Sequence, residues 1–589
     1  MNQDQVKAAV VAIGSGTLGR ALPLLPHAIS VSLPNWKDNV GYVEGDKSVL
    51  DAMSTGYPRF FIHRSIQKLS TLCEQSFGMN NERCLLFPSR TTAGHCMNFI
   101  LDQAERAGTP TKASVVRFDV QPVATASPGP SMSSTEHPEI YIVLFPVEVY
   151  KIARQFWQHS GLGISSRVAE LCLSLLVQSP LPTPSVVSAC DGAEHLTNIS
   201  DERGGRNLPS SEGLVAKFAL RRRIASLLVH DDVRSGSSLL GCRKVTEDDV
   251  FLFPCGMAAI WNAHQLLLGA RHPSKSVVFG FPYTDTLKIV EKVGPGAYFY
   301  GHGRDTDIDD LEKLLVQEST SNPSVPPILS LFTECPSNPH LRVVNMPRLR
   351  ALADKFDFLI VVDDTVGTFA NVNVLSYADI VVTSLSKFVG GYANALGGSL
   401  VLNPSGRHYT ALKEHLAAIH EDNYFDDDVI AMERNSRDFA ERMQTINNTT
   451  ESICDFLHPN SIAGGSPTSV IKRVWYPKYI SPTNYSYCRL PDGGYGGLFS
   501  LTFTSLEASK AFYDALPCAK GPSLGTNFTL SCPYTILAHY AELDWAGEFG
   551  VDEGLVRISV GTEDKDELLG RVQAALKAAG VWAGRAQRE

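Results

Sequence analysis

The sequence predicts an α/β fold built on a mostly parallel sheet with helices on both faces. Five short apolar runs, near residues 276–280, 328–332, 358–363, 379–383 and 396–402, alternate with segments of helical character. Strands that alternate with helices usually form a parallel sheet. Polar residues follow most of these runs directly. Because ligands of such sheets bind beyond the carboxyl ends of the strands, these polar residues predict a functional site.

Composition excludes several classes of protein. The chain has 589 residues, a net charge of −10 and 44% hydrophobic residues. The negative balance argues against a nucleic-acid partner, and no apolar run approaches the roughly 20 residues that span a bilayer. The N-terminus lacks the basic start and long apolar core of a secretory signal. The twelve cysteines show no CxxC pairs. We therefore expect a cytoplasmic protein with reduced thiols and no membrane or nucleic-acid partner.

The length predicts more than one domain. We expect an N-terminal region over residues 1–210, a large domain over 211–405, and a linking helix with a smaller C-terminal α/β subdomain over 406–589. Patches rich in Ser, Pro and Thr near 121–138 and 178–213 are typical of surface excursions or domain joints.

The N-terminal region contains two similar arginine segments. Tyr57 and Arg59 precede a helical pattern, and Arg206 lies in a comparable segment with Gly204 where the tyrosine would be. An arginine of this kind can hold a phosphate through charge-assisted hydrogen bonds. The order of arginine segment, helix and Phe-Pro strand thus occurs twice. It indicates either a degenerate internal duplication or an inserted region.

The central strands deliver chemically active side chains to their ends. Phe251–Leu268 changes from strand to helix at Gly256 and Met257, and a helix N-terminus of this kind binds anions. The run from Ser276 to Leu287 places Tyr283 after a strand.

The next three strands end in an amide, a carboxylate and an amine. These are Asn338, Asp363 and Lys387, the last beside Ser384 and Ser386. A lysine amine can form a Schiff base with an aldehyde, hydroxyls can bind a phosphate, and a carboxylate can keep a pyridine nitrogen protonated. Pyridoxal phosphate (PLP) combines these needs. Taken singly, the same motifs also fit an ordinary turn with a solvated lysine or a helix cap made by paired aspartates.

The series ECPSNP from Glu334, VDDT from Val362 and SLSK from Ser384, followed by Gly390 and Gly391, resembles the Cys/Met-metabolism family of PLP-dependent enzymes. Within it, the chain is most similar to the long, fungal-type cystathionine gamma-synthase-like branch. The resemblance covers roughly residues 251–402 and 556–564. It implies a PLP-dependent transferase of fold type I, aspartate aminotransferase-like, with a smaller C-terminal subdomain.

The resemblance also implies roles around the cofactor ring. Lys387 would hold the cofactor and move protons. Tyr283 would stack on the ring and assist proton transfer, and Asp363 would face the pyridine nitrogen. Asn338 would bond the phenolic oxygen, while Thr365 would pack on the ring.

Further roles concern the phosphate and the substrate. The resemblance implies a phosphate site made by Gly256, Met257, Ser384 and Ser386. A clamp, either Tyr57 with Arg59 or the Arg206 segment, would reach it from a neighbouring subunit. Arg557, which lies in a predicted strand near 555–561 and matches the family's carboxylate-binding arginine, would bind the α-carboxylate with help from Ser523.

The implied reaction is γ-replacement on O-acetyl- or O-succinyl-L-homoserine, with L-cysteine as nucleophile and cystathionine as product. A carbon nucleophile such as a β-keto acid or ester, or a lyase reaction, would use the same motifs. A non-catalytic scaffold is disfavoured because Lys387, Asp363 and Arg557 are all present. The 16 histidines show no HxH or HExxH spacing, so we expect no metal site. The family builds its site at a dimer interface, which implies a homodimer or homotetramer.

Overall fold

The computed structural model describes residues 16–120, 138–176, 210–229 and 243–586, with side chains up to residue 580. Arg206 and most of the predicted patches near 121–138 and 178–213 lie outside these ranges. The chain divides into two compact units. The first contains Met1–Tyr57, Ala216–Asp422 and Ala431–Glu589, and the second contains Pro58–Val215 and Asn423–Ile430.

The strands of the described residues are, in chain order, β1 (Ala21–Leu22), β2 (Ser30–Val31), β3 (Glu82–Phe87), β4 (Ser114–Asp119), β5 (Glu139–Pro146), β6 (Val250–Phe253), β7 (Ser276–Phe279), β8 (Ala297–Tyr300), β9 (Ser330–Glu334), β10 (Leu359–Asp363), β11 (Ile380–Ser384), β12 (Gly398–Leu402), β13 (Ile471–Trp475), β14 (Leu498–Phe503), β15 (Ala519–Lys520), β16 (Leu530–Pro533) and β17 (Val556–Ser559).

The helices are α1 (Trp36–Glu44), α2 (Lys47–Ala52), α3 (Arg64–Phe77), α4 (Arg90–Arg106), α5 (Tyr150–Ser160), α6 (Ser166–Leu176), α7 (Ser211–Leu228), α8 (Gly256–Ala270), α9 (Thr284–Lys292), α10 (Asp305–Ser321), α11 (Met346–Phe356), α12 (Tyr409–Ile419), α13 (Asp426–Asn435), α14 (Phe439–Leu457), α15 (Pro477–Ile480), α16 (Pro482–Cys488), α17 (Leu506–Ala515), α18 (Tyr534–His539), α19 (Leu543–Glu548) and α20 (Lys565–Ala586). None of the helices in the described ranges is both long and apolar enough to cross a membrane.

The first unit is organised around a seven-stranded sheet with the order β6-β12-β11-β10-β9-β7-β8. Strands β8, β7, β9, β10 and β11 run parallel, while β12 is antiparallel to both β11 and β6. The middle strands are nearly continuous apolar runs, and they are buried along almost their whole length. This pattern is expected where helices cover both faces of a sheet. The sheet and its mostly parallel order confirm the predicted α/β class.

Helix α8 shows how the cover is made. It packs against β11 and β12, and most of its residues are buried, including Ala259, Ile260, Ala263 and Leu267. Small alanines let the helix approach the sheet closely, and the larger apolar residues fill the remaining space. The N-terminus of α8 therefore lies at the sheet edge where the parallel strands end.

The first unit also contains a five-stranded, mostly antiparallel sheet with the order β13-β14-β17-β16-β15. Helices α17 and α20 pack against each other, and their residues Phe512 and Val572 share a core with Phe499, Leu501 and Ile558 of the sheet. This sheet delivers Arg557 from its central strand β17.

The second unit has its own antiparallel sheet with the order β3-β5-β4. Its core contains Leu69 and Cys73 of α3, Ile142 of β5, and Val168 and Cys172 of α6. Ion pairs within the unit, such as that of Arg167 with Asp428, add polar links. The described cysteines of both units form no disulfide.

Two helical regions lie outside the central sheet. Helices α1 and α2 occupy much of residues 36–52 at the start of the chain. Asn35 and Asp38 form a capping box at the start of α1, and Gly45 ends it with φ 80°. The linking helix expected within 406–589 is divided into α12, α13 and α14, and extended backbone at His420 ends α12.

A buried arginine links three parts of the first unit. The Arg442 guanidinium of α14 donates to the carbonyl oxygens of Phe388 and Val389 at 2.9 and 2.8 Å, and to Asn435 O at 3.0 Å. It also donates to Asn527 Oδ1 at 2.9 Å. Its Nε donates to Asp438 at 2.7 Å, and only 8% of the side chain is exposed. All five guanidinium N–H groups therefore have acceptors, and they hold the chain directly after Lys387.

We expect Arg442→Met to reduce the free energy of unfolding by about 3–5 kcal/mol, because it leaves several buried carbonyl groups without a donor. Chemical denaturation monitored by circular dichroism measures this change. Arg437→Met is the matched control, because the Arg437 side chain is 62% exposed and its ion pair is with Glu433. It should cost no more than about 1 kcal/mol. Equal losses for both variants would contradict the role given to Arg442.

Candidate functional site

The predicted site residues of the large sheet meet at one edge. Strands β7, β9, β10 and β11 are parallel and neighbouring, so their carboxyl ends lie together. Tyr283 follows β7 and precedes the first turn of α9. Asn338 follows β9, Asp363 ends β10, and Lys387 follows β11. The topology thus brings together an aromatic ring, an amide, a carboxylate and an amine.

Lys387 is buried, and two hydroxyl groups lie within hydrogen-bonding distance of its amine. Its Nζ donates to Tyr57 OH at 3.1 Å and to Ser523 Oγ at 3.4 Å, and it lies 4.3 Å from the centroid of the Tyr57 ring. Gly525 packs directly on this turn with φ +71°, and a Cβ there would come within 2.8 Å of Lys387 Cβ. A glycine is therefore required for this close approach.

Asp363 is a buried carboxyl at the end of β10. Its Oδ1 accepts from the backbone N–H of Thr365 at 2.9 Å. Burial raises the pKa of Asp363, although the hydrogen bonds from Thr365 oppose this shift. A cation placed against this carboxylate would favour the ionised form. The environment is therefore suited to hold a protonated pyridine nitrogen.

The neighbouring Asp364 is also buried and points to a different partner. Its Oδ1 accepts from Thr383 Oγ1 at 2.6 Å, whereas its Oδ2 has no hydrogen-bond partner among the described residues. Burial raises the pKa of Asp364 to about 8, and the nearby Asp363 carboxyl adds to the shift. The two adjacent aspartates of the motif thus have different partners.

Glu334 connects the two loops that carry Tyr283 and Asn338. Its carboxyl oxygens accept from the backbone N–H of Tyr283 and, at 3.0 Å, from that of Asn338. In the sheet it is paired in register with Asp363. Burial, followed by the negative charge of Asp363, raises the pKa of Glu334. Sequence reasoning quoted the motif that contains Glu334 but assigned the residue no role.

Arg557 is the buried cation of the site. Its Nη1 donates to Asn338 Oδ1 at 3.2 Å. Its Nη2 donates to the carbonyl oxygens of Pro522 and Ser523 at 3.1 and 2.9 Å. Tyr534 lies beneath the guanidinium, with its ring centroid 5.1 Å away. Several neutral acceptors surround the charge, and we find no carboxylate of the described residues in an ion pair with it. This leaves Arg557 able to attract an anion.

Ser523 stands between the amine and the guanidinium. Its hydroxyl accepts from Lys387, and its carbonyl oxygen accepts from Arg557. An α-amino acid carries its amino group and its carboxylate on the same carbon atom, Cα. The arrangement therefore offers one group for each end of such a substrate.

The N-terminus of α8 is the predicted phosphate site. The first N–H groups of a helix, here those of Gly256 and Met257, lack acceptors within the helix. A Cβ at Gly256 would come within 2.6 Å of Ser384 Cβ, so the helix end and the end of β11 lie in close contact. This juxtaposition of N–H groups with a hydroxyl fits a phosphate.

The hydroxyls of Thr365 and Ser386 form hydrogen bonds with the backbone. Thr365 Oγ1 accepts from the backbone N–H of Ser384 at 2.8 Å, which joins the ends of β10 and β11. Ser386 Oγ donates to Gly397 O at 3.2 Å and accepts from Gly397 N at 3.0 Å. The predicted phosphate role of Ser386 would require this pair of bonds to change, whereas Ser384 keeps its backbone anchor.

The predicted clamp residues Tyr57 and Arg59 belong to different units of the structure. Tyr57 contacts Lys387 of its own chain, whereas the family resemblance implies a segment that reaches a neighbouring subunit. Arg59 belongs to the second unit, and Arg206 lies outside the described residues. The choice between the two arginines stays a prediction.

Sequence reasoning missed three residues that hold the site together. These are Glu334, Tyr534 and Arg442. Each acts through a partner that is distant in sequence, such as Arg557 for Tyr534. A local signal existed only for Glu334, whose position at the end of a buried strand is unusual for an acidic residue.

The residues present fit pyridoxal phosphate. A buried amine, a buried carboxylate, and a helix N-terminus with an adjoining hydroxyl lie at one edge of the sheet. Each matches one part of the cofactor: the aldehyde, the pyridine nitrogen and the phosphate. Gly256 leaves open the space that a Cβ would fill.

Comparisons with known proteins agree with this site. Residues 245–577 match the family model of the Cys/Met metabolism PLP-dependent enzymes. Residues 65–165 match the N-terminal domain of fungal trans-sulfuration enzymes.

Curated relatives align with nearly the whole chain. The chain is 49% identical over 606 residues to a cystathionine gamma-synthase-like enzyme, iboG2, of Amanita muscaria, with 95% of each chain covered. It is 42% identical over 618 residues to a cystathionine gamma-synthase of Neurospora crassa, with 94% of this chain and 96% of the relative covered. It is 36% identical over 596 residues to the alanine racemase ungC of Aspergillus violaceofuscus, with 96% and 97% covered.

The raised pKa of Asp364 predicts a pH dependence of stability. The folded protein keeps this proton up to about pH 8, whereas an unfolded aspartate loses it near 3.8. Between these values the folded state binds more protons, so this carboxyl lowers stability as the pH rises, by up to about 1.4 kcal/mol per pH unit. Asp364→Asn removes the titration, and its Oδ1 can still accept from Thr383.

We therefore expect the Tm of Asp364→Asn, relative to the unaltered protein, to increase steadily from pH 5 to pH 8. Thermal unfolding followed by circular dichroism in a series of buffers measures this difference. Asp492→Asn, at an exposed position, is the control and should show a constant difference. A difference for Asp364→Asn that is equally independent of pH would refute the assignment.

Proposed function

The chain belongs to the Cys/Met metabolism PLP-dependent enzymes, and from this premise we propose that it catalyses γ-replacement on an O-activated L-homoserine with L-cysteine as nucleophile. The activated substrate is O-acetyl- or O-succinyl-L-homoserine, and the product is cystathionine. The observation that carries the proposal is the placement of Ser523 between the buried Lys387 amine and the buried Arg557 guanidinium. The 42% identity to a cystathionine gamma-synthase supports the reaction class.

Substrate binding follows from the charges. Arg557 would bind the α-carboxylate with its planar fork, because bidentate charge-assisted bonds fix both position and orientation. Asn338 holds one edge of this fork, and Tyr534 supports its face. The carboxylate would thereby place the amino group towards Lys387. Burial of both residues excludes water and strengthens these interactions.

Proton transfer is the role of Lys387. Pyridoxal phosphate, when bound, withdraws electrons from Cα and so permits proton removal there and, in turn, loss of a group at Cγ. The Lys387 amine would take the Cα proton and return protons to the substrate carbons. Tyr57 OH and Ser523 Oγ, at 3.1 and 3.4 Å, would orient this amine. Asp363 would provide the negative charge against the pyridine nitrogen, with Tyr283 on the ring face.

The overall exchange balances without a redox partner. The Cγ–O bond breaks, and the oxygen leaves with its electron pair as acetate or succinate. The cysteine sulfur forms the new Cγ–S bond, and the thiol proton is released. Ser384, Gly256, Met257 and an arginine would hold the cofactor phosphate throughout.

A second candidate retains the homoserine ester and changes the nucleophile. The 49% identical relative is named only as a cystathionine gamma-synthase-like enzyme, and the 36% identical relative is named an alanine racemase. A carbon acid such as a β-keto acid or ester would form a C–C bond at the same carbon. A γ- or β-lyase reaction is the remaining alternative. We also propose a cytoplasmic homodimer or homotetramer, as is common in the family.

Product analysis distinguishes these reactions. The purified protein is supplied with O-acetyl- or O-succinyl-L-homoserine, with and without L-cysteine, and the products are identified by mass. Formation of cystathionine only with cysteine supports the first proposal. Consumption of the ester at an unchanged rate and without cystathionine favours the carbon-nucleophile or lyase reaction.

We expect Lys387→Ala to abolish turnover, because the Lys387 amine is the group proposed to take the proton from Cα. The visible absorbance of the bound cofactor should also change, since the covalent link to the amine is lost. Absorbance spectroscopy and the product assay together check this outcome. Lys355→Ala is the control, because the Lys355 side chain is 58% exposed and pairs with Glu312. Full turnover by Lys387→Ala would refute the mechanism.

We expect Arg557→Lys to raise KM for the homoserine ester about tenfold or more, because a hydrogen bond to a charged group contributes about 1.5–3 kcal/mol. The cofactor absorbance should stay unchanged, since Arg557 faces the substrate. Steady-state kinetics measures KM and kcat separately. An unchanged KM would show that the α-carboxylate binds elsewhere.

A further inference from the structure

A cleft in the first unit opens beyond the carboxyl ends of β7 and β9. The chain leaves β7 towards β8 on one side and leaves β9 towards β10 on the other. Two connections that diverge in this way leave a crevice, and such switch points commonly bind ligands in open parallel sheets. The lining of the cleft includes Phe281, Thr333, Glu334, His340 and Arg342. The described residues that line this cleft do not include any that were assigned above to the cofactor or the substrate.

Arg342 supplies a cation to this cleft. Its backbone is held by Ser337, which exchanges hydrogen bonds with it at 2.9 and 3.2 Å. The guanidinium is half-buried, yet it has neither a hydrogen bond nor an ion pair with the described residues. Desolvating a charge without a partner is costly. An anion in the cleft would remove this cost.

Thr333 supplies a second group. Its side chain is 4% exposed, and its Oγ1 has no hydrogen-bond partner among the described residues. The hydroxyl faces Gly280, where a built Cβ would lie 4.0 Å from Oγ1. Buried hydroxyls nearly always have a partner. A ligand in the cleft would provide the missing acceptor.

The surroundings favour a negative ligand. Burial and the positive charges of Arg304 and Arg473 lower the pKa of Arg342, while Asp307 opposes the shift. Burial also lowers the pKa of His340 to about 4, so this ring is neutral near pH 7. Its Nε2 lies 3.0 Å from Gly550 O, and its ring stacks on Trp475 with centroids 4.2 Å apart. The raised pKa of Glu334 makes this carboxyl less repulsive to an anion.

We propose that the switch-point cleft is a second binding site, for a small carboxylate, with the Arg342 guanidinium and the Thr333 hydroxyl as donors. A planar carboxylate matches the fork of a single guanidinium.

The proposed γ-replacement releases such a carboxylate, acetate or succinate. This identification of the occupant rests on the proposed function, but the site itself does not. Glu334 both lines the cleft and accepts from the backbone N–H groups of Tyr283 and Asn338. A bound carboxylate would therefore lie next to the residue that positions both loops of the active site.

Direct titration tests the site. Acetate and succinate are titrated into the purified holoenzyme at constant ionic strength, and the heat of binding and the cofactor absorbance are recorded together. Occupation of the active site through Arg557 changes the absorbance, and Arg557→Lys weakens this response. Occupation of the cleft gives heat that Arg557→Lys leaves unchanged.

We expect Arg342→Gln to weaken this second binding at least tenfold without altering the absorbance response. Thr333→Val, which preserves the shape of the side chain, should weaken it about threefold, and it provides the test if Arg342→Gln does not fold. Arg407→Gln is the matched control for loss of charge, because Arg407 is half-exposed and pairs with Asp354 and Asp357. It should bind as the unaltered protein does.

Three results would overturn the proposal. The first is unaltered binding by folded Arg342→Gln and Thr333→Val, and the second is loss of all binding heat in Arg557→Lys. The third is equally tight, Arg342-dependent binding of phosphate or chloride, which would remove the preference for a carboxylate. If the product assay fails while Arg342-dependent binding persists, the site is supported and only the identity of its occupant is withdrawn.

Discussion

The guanidinium of Arg442 is the interaction on which the placement of the reactive lysine depends. It holds the carbonyl oxygens of Phe388 and Val389, the two residues directly after Lys387, and it reaches Asn527 in the loop before β16. The same loop contains Ser523 and Gly525, which contact Lys387 itself. One buried cation thus joins helix α14, the turn of the large sheet and a loop of the smaller sheet. Because all of its donors are used, displacement of any of these segments would leave a buried carbonyl without its donor.

The buried carboxyl groups near the site have different roles, one towards the cofactor and the others within the fold. Asp363 would face the cofactor nitrogen in the proposed site, while Asp364 accepts from Thr383 and Glu334 joins the loops that carry Tyr283 and Asn338. Burial raises the pKa of all three carboxyls. Several buried carboxyls cannot all be ionised at little cost. A cationic ring at Asp363 would relieve this cost, which couples cofactor binding to the stability of the sheet edge.

The family membership of the chain establishes the cofactor and the type of chemistry, whereas the nucleophile is decided elsewhere. In the proposed reaction, Arg557 and Lys387 would bind the carboxylate and the amino group that all amino-acid substrates have in common. The relatives that share nearly the whole length of the chain bear different names. Selection between a thiol and a carbon acid depends on side chains that line the approach to Cγ, where small changes in shape can alter the reaction.

The sequence by itself determined the α/β class, the strand ends and the residue types of the site, because buried parallel strands are continuous apolar runs and the polar residues that follow them are local signals. It placed apolar runs near 358–363 and 379–383, where the structure has β10 and β11. Only the tertiary structure decided that Tyr57 contacts Lys387 of its own chain, that Arg442 anchors the turn after Lys387, and that Arg342 lies in a cleft at the switch point. These contacts join residues far apart in the chain, and no local pattern specifies which distant partner will meet a given side chain.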